Sequence, residues 1–346
     1  MSNRKTIKQI AEVTGYSTAT VDRVINGRDG VKDETRRRIL LAARELSYKN
    51  VAIRAPEASS GQILKTVLII PDTDNELINN LGMAIQAKSL TETCLTLNTY
   101  RYKNLNSSSL VEVLLEVQKS GADVIGLVGI DDPQVSVMLN RLQKDGKKVI
   151  TLLSVISGIT PWAHIGINDS AAGRTAGLLM AKNRPDSSGV VLVFTGSTQY
   201  QGHLQREIGF RGILRESGIP VRIAESYAMN EDRSHTTALA LQHLKDSKDV
   251  SGVYVIGSGA AEIIDAMDQI NPAKRPVVIC HDMTESVINK LVTGKVDYVI
   301  HQDHHVEASN FIKTVRNLFE DKEPVKDTLP VRINIVTAEN IYSDEI

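Results

Sequence analysis

From Leu64 to His301 the chain alternates two kinds of segment, and this alternation limits its possible folds more than any other feature. Runs at 66–70, 95–99, 123–128, 148–153, 190–194, 222–226, 252–256, 276–280 and 298–301 have strand length, and most are rich in Val, Ile and Leu. The stretches 75–90, 110–119, 171–182, 204–217, 235–245, 260–269, 285–292 and 305–319 instead place apolar residues at helical spacing. Apolar strands that alternate with helices form parallel sheets covered on both faces. The length of the region fits two doubly wound α/β lobes. Ligands of open α/β sheets bind beyond the carboxyl ends of the strands, so a cleft between lobes is the expected site.

The first fifty residues read differently. Thr6 and Gln9 stand at capping-box spacing, and Ile7, Ile10 and Ala11 form an apolar stripe. Gly15 breaks that helix. Ser17 caps a second, in which Val21, Val24 and Ile25 face inward, and Asn26-Gly27 ends it. A third helix is expected over about 33–46, with Ile39, Ala43 and Leu46 on one face. Two helices joined by a tight glycine turn and supported by a third make an all-α helix-turn-helix head. Residues 1–54 hold 12 Lys and Arg against 6 Asp and Glu, a net of +6; the remainder, with 28 against 35, is −7. A basic head on an acidic body suits phosphate binding. A generic three-helix bundle would share the apolar spacing, so the outward residues of the second helix carry the argument. These are Thr18, Ala19, Asp22 and Arg23. The planar fork of Arg23 matches the O6 and N7 acceptors of guanine, and Thr18 and Ala19 suit a base edge or a thymine methyl. Lys5, Arg28, Lys32 and Arg36 suit phosphates, which position a head without reading sequence.

The stretch TIKQIAEVTGYSTATVDRVING (6–27), followed by VKDETRRRI (31–39), closely resembles the head of the lactose/galactose repressor family of transcription regulators. The resemblance implies DNA contacts from Thr6, Ser17, Thr18, Ala19, Thr20, Arg23, Asn26 and Arg28, with Thr18, Ala19 and Arg23 at base-reading positions. It implies a sequence-specific regulator, expected to repress, that binds roughly palindromic operator DNA as a homodimer. Asp22 departs from the Ser usual in the family; its carboxylate would accept from a cytosine amine or pair with Arg23, and both readings stand. The family continues with Tyr-x-Pro-Asn, a hinge helix and a Leu wedged into the minor groove. Here 48–61 reads YKNVAIRAPEASSG, without the Pro-Asn pair. Pro56 would interrupt a helix, so 51–62 is expected to be a connector with a shortened hinge and Ile53 as its apolar wedge.

Within 63–346, GINDSAAGRTA (166–176) resembles a stretch of the periplasmic sugar-binding fold that the same family uses as its sensor. Arg206 before Gly209-Phe210, His281-Asp282 after a strand, a late Gln302, and Asn75, Leu77 and Ile78 after the first strand fit the same pattern. The implied ligand set is Asn75, Leu77, Ile78, Asp131, Ser154, Arg206, Ser258, Asp282 and Gln302. Asp282, Arg206, Asn75 and Gln302 are residue types that fork hydrogen bonds to adjacent hydroxyls. The expected effector is a small polar molecule, a sugar or sugar derivative. Leu77 and Ile78 replace the family's aromatics, Ser154 stands for its Asp, and Gly257-Ser258 stands for its Asn-Asp. Those changes point away from a plain pyranose and toward a sugar derivative, polyol or charged sugar-like compound.

Other classes fare worse. No glycine-rich phosphate loop follows the first strand and no Gly-x-Ser-x-Gly elbow occurs, so neither an enzyme nor a cofactor is expected. HQDHH (301–305) lacks a second ligand cluster, so no metal site is expected. Cys94 and Cys280 each lie in an apolar run and read as buried free thiols. Neither a membrane span nor a signal peptide is found, and a cytoplasmic location is expected. The competing functional reading is a DNA-binding regulator whose core answers to a partner protein or to no metabolite.

Overall fold

The computed structural model describes residues 7–25, positions 31, 35, 38, 39, 42 and 43, and the stretches 63–183, 189–218, 221–247, 249–270, 275–320 and 331–341. The connector with Ile53 and Pro56, most of the third head helix, and Lys5, Thr6, Asn26, Arg28, Lys32 and Arg36 lie outside the described residues.

In the head, α1 (Ile7–Thr14) and α2 (Thr18–Ile25) meet at a tight turn. Gly15 adopts a left-handed φ of 73°, a region that costs a residue with a Cβ about 1 kcal/mol or more. The Thr20 amide donates to the Ser17 hydroxyl at 3.1 Å, so Ser17 caps α2. Ile10, Val21, Val24 and Ile25 are buried together with Ile39, Ala42 and Ala43 from the third segment. That shared core sets the angle between α1 and α2. Thr18, Ala19 and Arg23 are exposed, whereas Asp22 is half-buried.

The first lobe contains β1 (Leu64–Asp72), α3 (Glu76–Ser89), β2 (Leu95–Lys103), α4 (Ser107–Ser120), β3 (Val124–Leu127), α5 (Pro133–Lys144), β4 (Lys148–Leu152) and β5 (Ala163–Ile165). Its strands run parallel in the order β2-β1-β3-β4-β5. The second lobe contains α6 (Asp169–Asn183), β6 (Val190–Thr195), α7 (Gln201–Glu216), β7 (Arg222–Ala228), α8 (Arg233–Asp246), β8 (Val250–Ile256), α9 (Ala260–Ile270), β9 (Val277–His281), α10 (Glu285–Val292) and β10 (Tyr298–His301). The next helix, α11 (His304–Phe319), packs back on α3 of the first lobe, and β11 (Asn334–Val336) returns to the second sheet. That sheet has the order β11-β10-β9-β8-β6-β7, parallel except for β11 on its edge.

Every strand read from the sequence forms. A helix at α5 and the short strands β5 and β11 were not expected. The sheet interior explains the near-continuous apolar runs: all six residues of β6 are buried because helices cover both faces. Each such Val or Leu contributes roughly 1.5–3 kcal/mol relative to exposure.

One helix pair matters most for the site. A Cβ added at Gly173 would lie 1.8 Å from the Arg206 carbonyl oxygen, and one at Gly209 would lie 2.3 Å from that of Ser170. Only glycines let α6 and α7 approach this closely, and the approach sets Asp169 beside Arg206.

Candidate functional site

Strand ends and helix starts from both lobes converge on one cavity. Asn75, Leu77 and Ile78 reach it from the start of α3, Ser154 from beyond β4, Arg206 from α7, Asp282 from beyond β9, and Gln302 from the turn into α11. Seven of the nine residues expected in the pocket thus share one space. Ser258 lines an adjoining outer cavity that also touches Asn75, Leu77 and Asp282. Asp131 lines neither. Its carboxylate accepts from the Ser157 amide at 2.7 Å, the Ser157 hydroxyl at 2.9 Å and the Gln201 side chain, which joins the rims of the two lobes. Tyr200 brings a ring into the cavity from the segment before α7, so the pocket is less bare of aromatics than Leu77 and Ile78 alone suggest.

The electrostatics follow from burial. The Arg206 Nε donates to Asp169 Oδ1 at 2.7 Å inside the α6–α7 contact. Burial alone would lower the Arg206 pKa, but the facing Asp169 and Asp282 carboxylates outweigh it and the net shift is upward. Asp282 holds a left-handed φ of 66° and accepts from the Gln302 amide nitrogen at 3.1 Å. Burial pushes its carboxyl up, opposed mainly by Arg206. Gln302 is 1 % exposed, and its Oε1 has no hydrogen-bond partner among the described residues. Such an acceptor costs free energy until a donor arrives. Burial, reinforced by Arg206, lowers His203 to about 3 and drives His281 well down, so both rings are neutral. His281 hydrogen-bonds the Tyr254 hydroxyl at 2.9 Å through Nε2, and its Nδ1 is a second orphan.

Direct bonds hold the cleft shut. Asn75 Nδ2 donates to Glu231 Oε2 at 3.1 Å, and the Gly202 amide donates to the Ser154 hydroxyl at 3.1 Å. The Glu76 carboxylate accepts from the Glu285 amide at 3.0 Å and the Ser286 hydroxyl at 3.1 Å. The N-cap residue of α10, Thr284, makes no side-chain capping bond, and a carboxylate from the other lobe caps this helix.

The family model for the periplasmic binding protein domain matches residues 66–323, and the model for bacterial regulatory proteins of the lacI family matches residues 6–50. The chain belongs to the periplasmic binding protein domain family and carries a lacI-family head. It is a lacI-type, DNA-binding transcription regulator. A similar relative is catabolite control protein A of Priestia megaterium, 25% identical over 259 residues, covering 73% of this chain and 74% of that protein. Among solved structures, a putative LacI transcriptional regulator from Bacteroides fragilis superposes with a TM-score of 0.71 at 20% identity, covering 81% of this chain and 98% of that one. An ABC-transporter solute-binding protein from Burkholderia graminis in complex with D-arabinose superposes with a TM-score of 0.75 at 16% identity, covering 83% and 99%. At these identities the structural likeness speaks for the fold alone.

Three cleft residues of the lacI-type regulator escaped the sequence reading. Asp169 lay inside the quoted motif without a role. His203 stands three residues before Arg206 on α7, a spacing that puts both on one helix face and was a usable signal. Glu231 follows β7 in a loop with no local motif. Among the described residues, no group of three or more His, Cys, Asp or Glu side chains is placed to hold a metal ion, and no helix is long and apolar enough to cross a membrane. Cys94 and Cys280 are buried and free.

Proposed function

We propose that this regulator binds roughly palindromic operator DNA in the cytoplasm as a homodimer. In this reading 1–50 is the DNA-binding head, 51–62 the connector, and 63–346 the sensor and dimerisation unit. A hydroxyl-rich effector, a sugar or sugar derivative, occupies the interlobe cavity. The observation that carries the reading is the convergence of Asn75, Arg206, Asp282 and Gln302 from both lobes, with Gln302 Oε1 buried and unpartnered. The D-arabinose held by a protein of the same fold favours a carbohydrate.

The mechanism follows from the cleft's position. Asn75 and Ser154 belong to the first lobe, whereas Arg206 and Asp282 belong to the second. A ligand bonded to both sides has a different affinity for the open and closed arrangements, which is the requirement for shifting one against the other. The lobe angle then alters how two heads span their half-sites. In α2, exposed Thr18, Ala19 and Arg23 read base edges, while the Ser17 hydroxyl, spent on capping, fixes the helix start.

The test begins with selection of preferred DNA sites by the full chain, followed by binding to the selected site with and without a sugar panel. Arg23→Ala is expected to cost about 1–3 kcal/mol on that site and to relax preference at one base pair. Equal affinity of wild type and variant on every sequence would refute Arg23 as a reader. A panel that alters neither melting temperature nor DNA binding would favour a core that answers to a partner protein.

A further inference from the structure

The cleft is oversupplied with hydrogen-bond acceptors, and its least explained member is Glu231. Resting on the reading of the cleft as an effector site, we propose that the effector is a sugar-like molecule carrying an amino group, and that Glu231 selects it.

Glu231 Oε2 accepts from Asn75 Nδ2 at 3.1 Å and from the Ser258 hydroxyl at 2.6 Å, so one cleft residue from each lobe already converges on this carboxylate. Its Oε1 is buried without a partner among the described residues. A Cβ at Gly196 would lie 2.4 Å from that oxygen, so a glycine keeps the space it occupies. Asn230 and Glu231 hold left-handed φ values of 56° and 55°, a costly conformation for two successive non-glycine residues.

Charge points the same way. The outer cavity is lined by Asp74, Glu76, Glu231, Asp232, Glu262 and Asp282 against Arg233. Local structure accounts for three of these acids. Glu76 caps α10, Asp232 caps α8 through the His235 amide at 2.9 Å, and Glu262 faces Arg233 at 3.6 Å. Asp74, Glu231 and Asp282 are left, and the nearby cation Arg206 is shared between Asp169, to which its Nε donates, and Asp282. In the adjoining inner cavity, Gln302 Oε1 is another unfilled acceptor, from a residue that is almost wholly buried. An ammonium group brings three donors, no acceptor and a positive charge, whereas a sugar acid or phosphate brings acceptors and a second negative charge. Burial, with Asp282 adding to it, raises the Glu231 carboxyl, and a bound cation would reverse that.

Calorimetric titration of the full chain tests the idea with D-glucose, D-galactose and D-mannose, each beside its 2-amino-2-deoxy and uronic acid counterparts. In at least one series the amino sugar is expected to bind about tenfold more tightly than the neutral sugar, with the acid weakest. Glu231→Gln, which keeps the shape of the side chain, is expected to erase that preference, read as the ratio of amino-sugar to neutral-sugar affinity. Glu231→Asp retains the charge and is expected to retain the direction of the preference, which covers the case of a poorly folded Gln variant. Preference for the neutral or acidic member, or a preference unchanged in Glu231→Gln, overturns the amino-group assignment and leaves the effector cleft standing. Binding of no member in any series overturns both.

Discussion

Glu307 lies fully buried on α11, and both its carboxylate oxygens lack a hydrogen-bond partner among the described residues. Burial first, and Asp282 second, push its carboxyl well above the ordinary value of 4.5. Above that ordinary value the folded chain keeps a proton that the unfolded chain has released. Stability therefore falls as pH rises, by about 1.4 kcal/mol per unit for one proton, until the folded-state pKa is reached. Glu307→Gln removes this loss. Denaturant titrations are expected to show the variant more stable than wild type by about 1 kcal/mol or more at pH 8, and little different at pH 4. The neutral histidines act in the opposite direction but equally in both proteins, so they cancel. A difference independent of pH would mean that Glu307 is ionised in the fold. At this scale the sequence was legible where a polar residue type stands beside a strand end or on a helix matched by the resemblance: Asn75, Arg206, Asp282 and Gln302 all reach the cavity. Asp131 instead bonds Ser157 and Gln201, a tether that a carboxylate in such a loop serves equally well.

Helices and strands were legible where their signals are local. Ser17 caps α2 as its spacing implies, and the apolar runs of β1 and β6 become central strands. Helix α5 carries an apolar stripe of Val135, Met138, Leu139 and Leu142, but it opens on Pro133, a residue as common in turns as at the first helical position. The strands β5 and β11 are three residues each, too short for any periodicity. The contact between α6 and α7 yields a sharp test. Because a Cβ at Gly173 would meet backbone at 1.8 Å, Gly173→Ala is expected to destabilise the sensor by about 3 kcal/mol. The denaturation midpoint should fall with an unchanged slope. A variant as stable as wild type would show that the helices can separate at no cost. The cap that Glu76 places on α10 is a second element-level device. Glu76→Ala is expected to remove about 1 kcal/mol from closure, read as a larger radius of gyration by small-angle scattering. An unchanged radius would mean that the remaining bonds hold the lobes without it.

The whole molecule joins a basic head to an acidic sensor. Phosphate contacts release counterions, so the logarithm of operator affinity should fall linearly and steeply with the logarithm of salt concentration. Affinity indifferent to salt would contradict the division of charge between 1–54 and the rest of the chain. The sequence by itself determined the helix-turn-helix pattern, the alternation of strands and helices, and the residue types at the strand ends. Those signals act between neighbours a few positions apart, where capping, turn geometry and apolar spacing operate. Only the tertiary structure decided which polar groups face each other across the cleft. Asn75 and Glu231 meet at a separation of 156 residues, and Glu76 reaches Glu285 and Ser286 at separations of 209 and 210. Pairings at such distances depend on where two folded lobes come to rest. The acidic, acceptor-rich lining of the cleft is therefore a property of the closed molecule rather than of any segment within it.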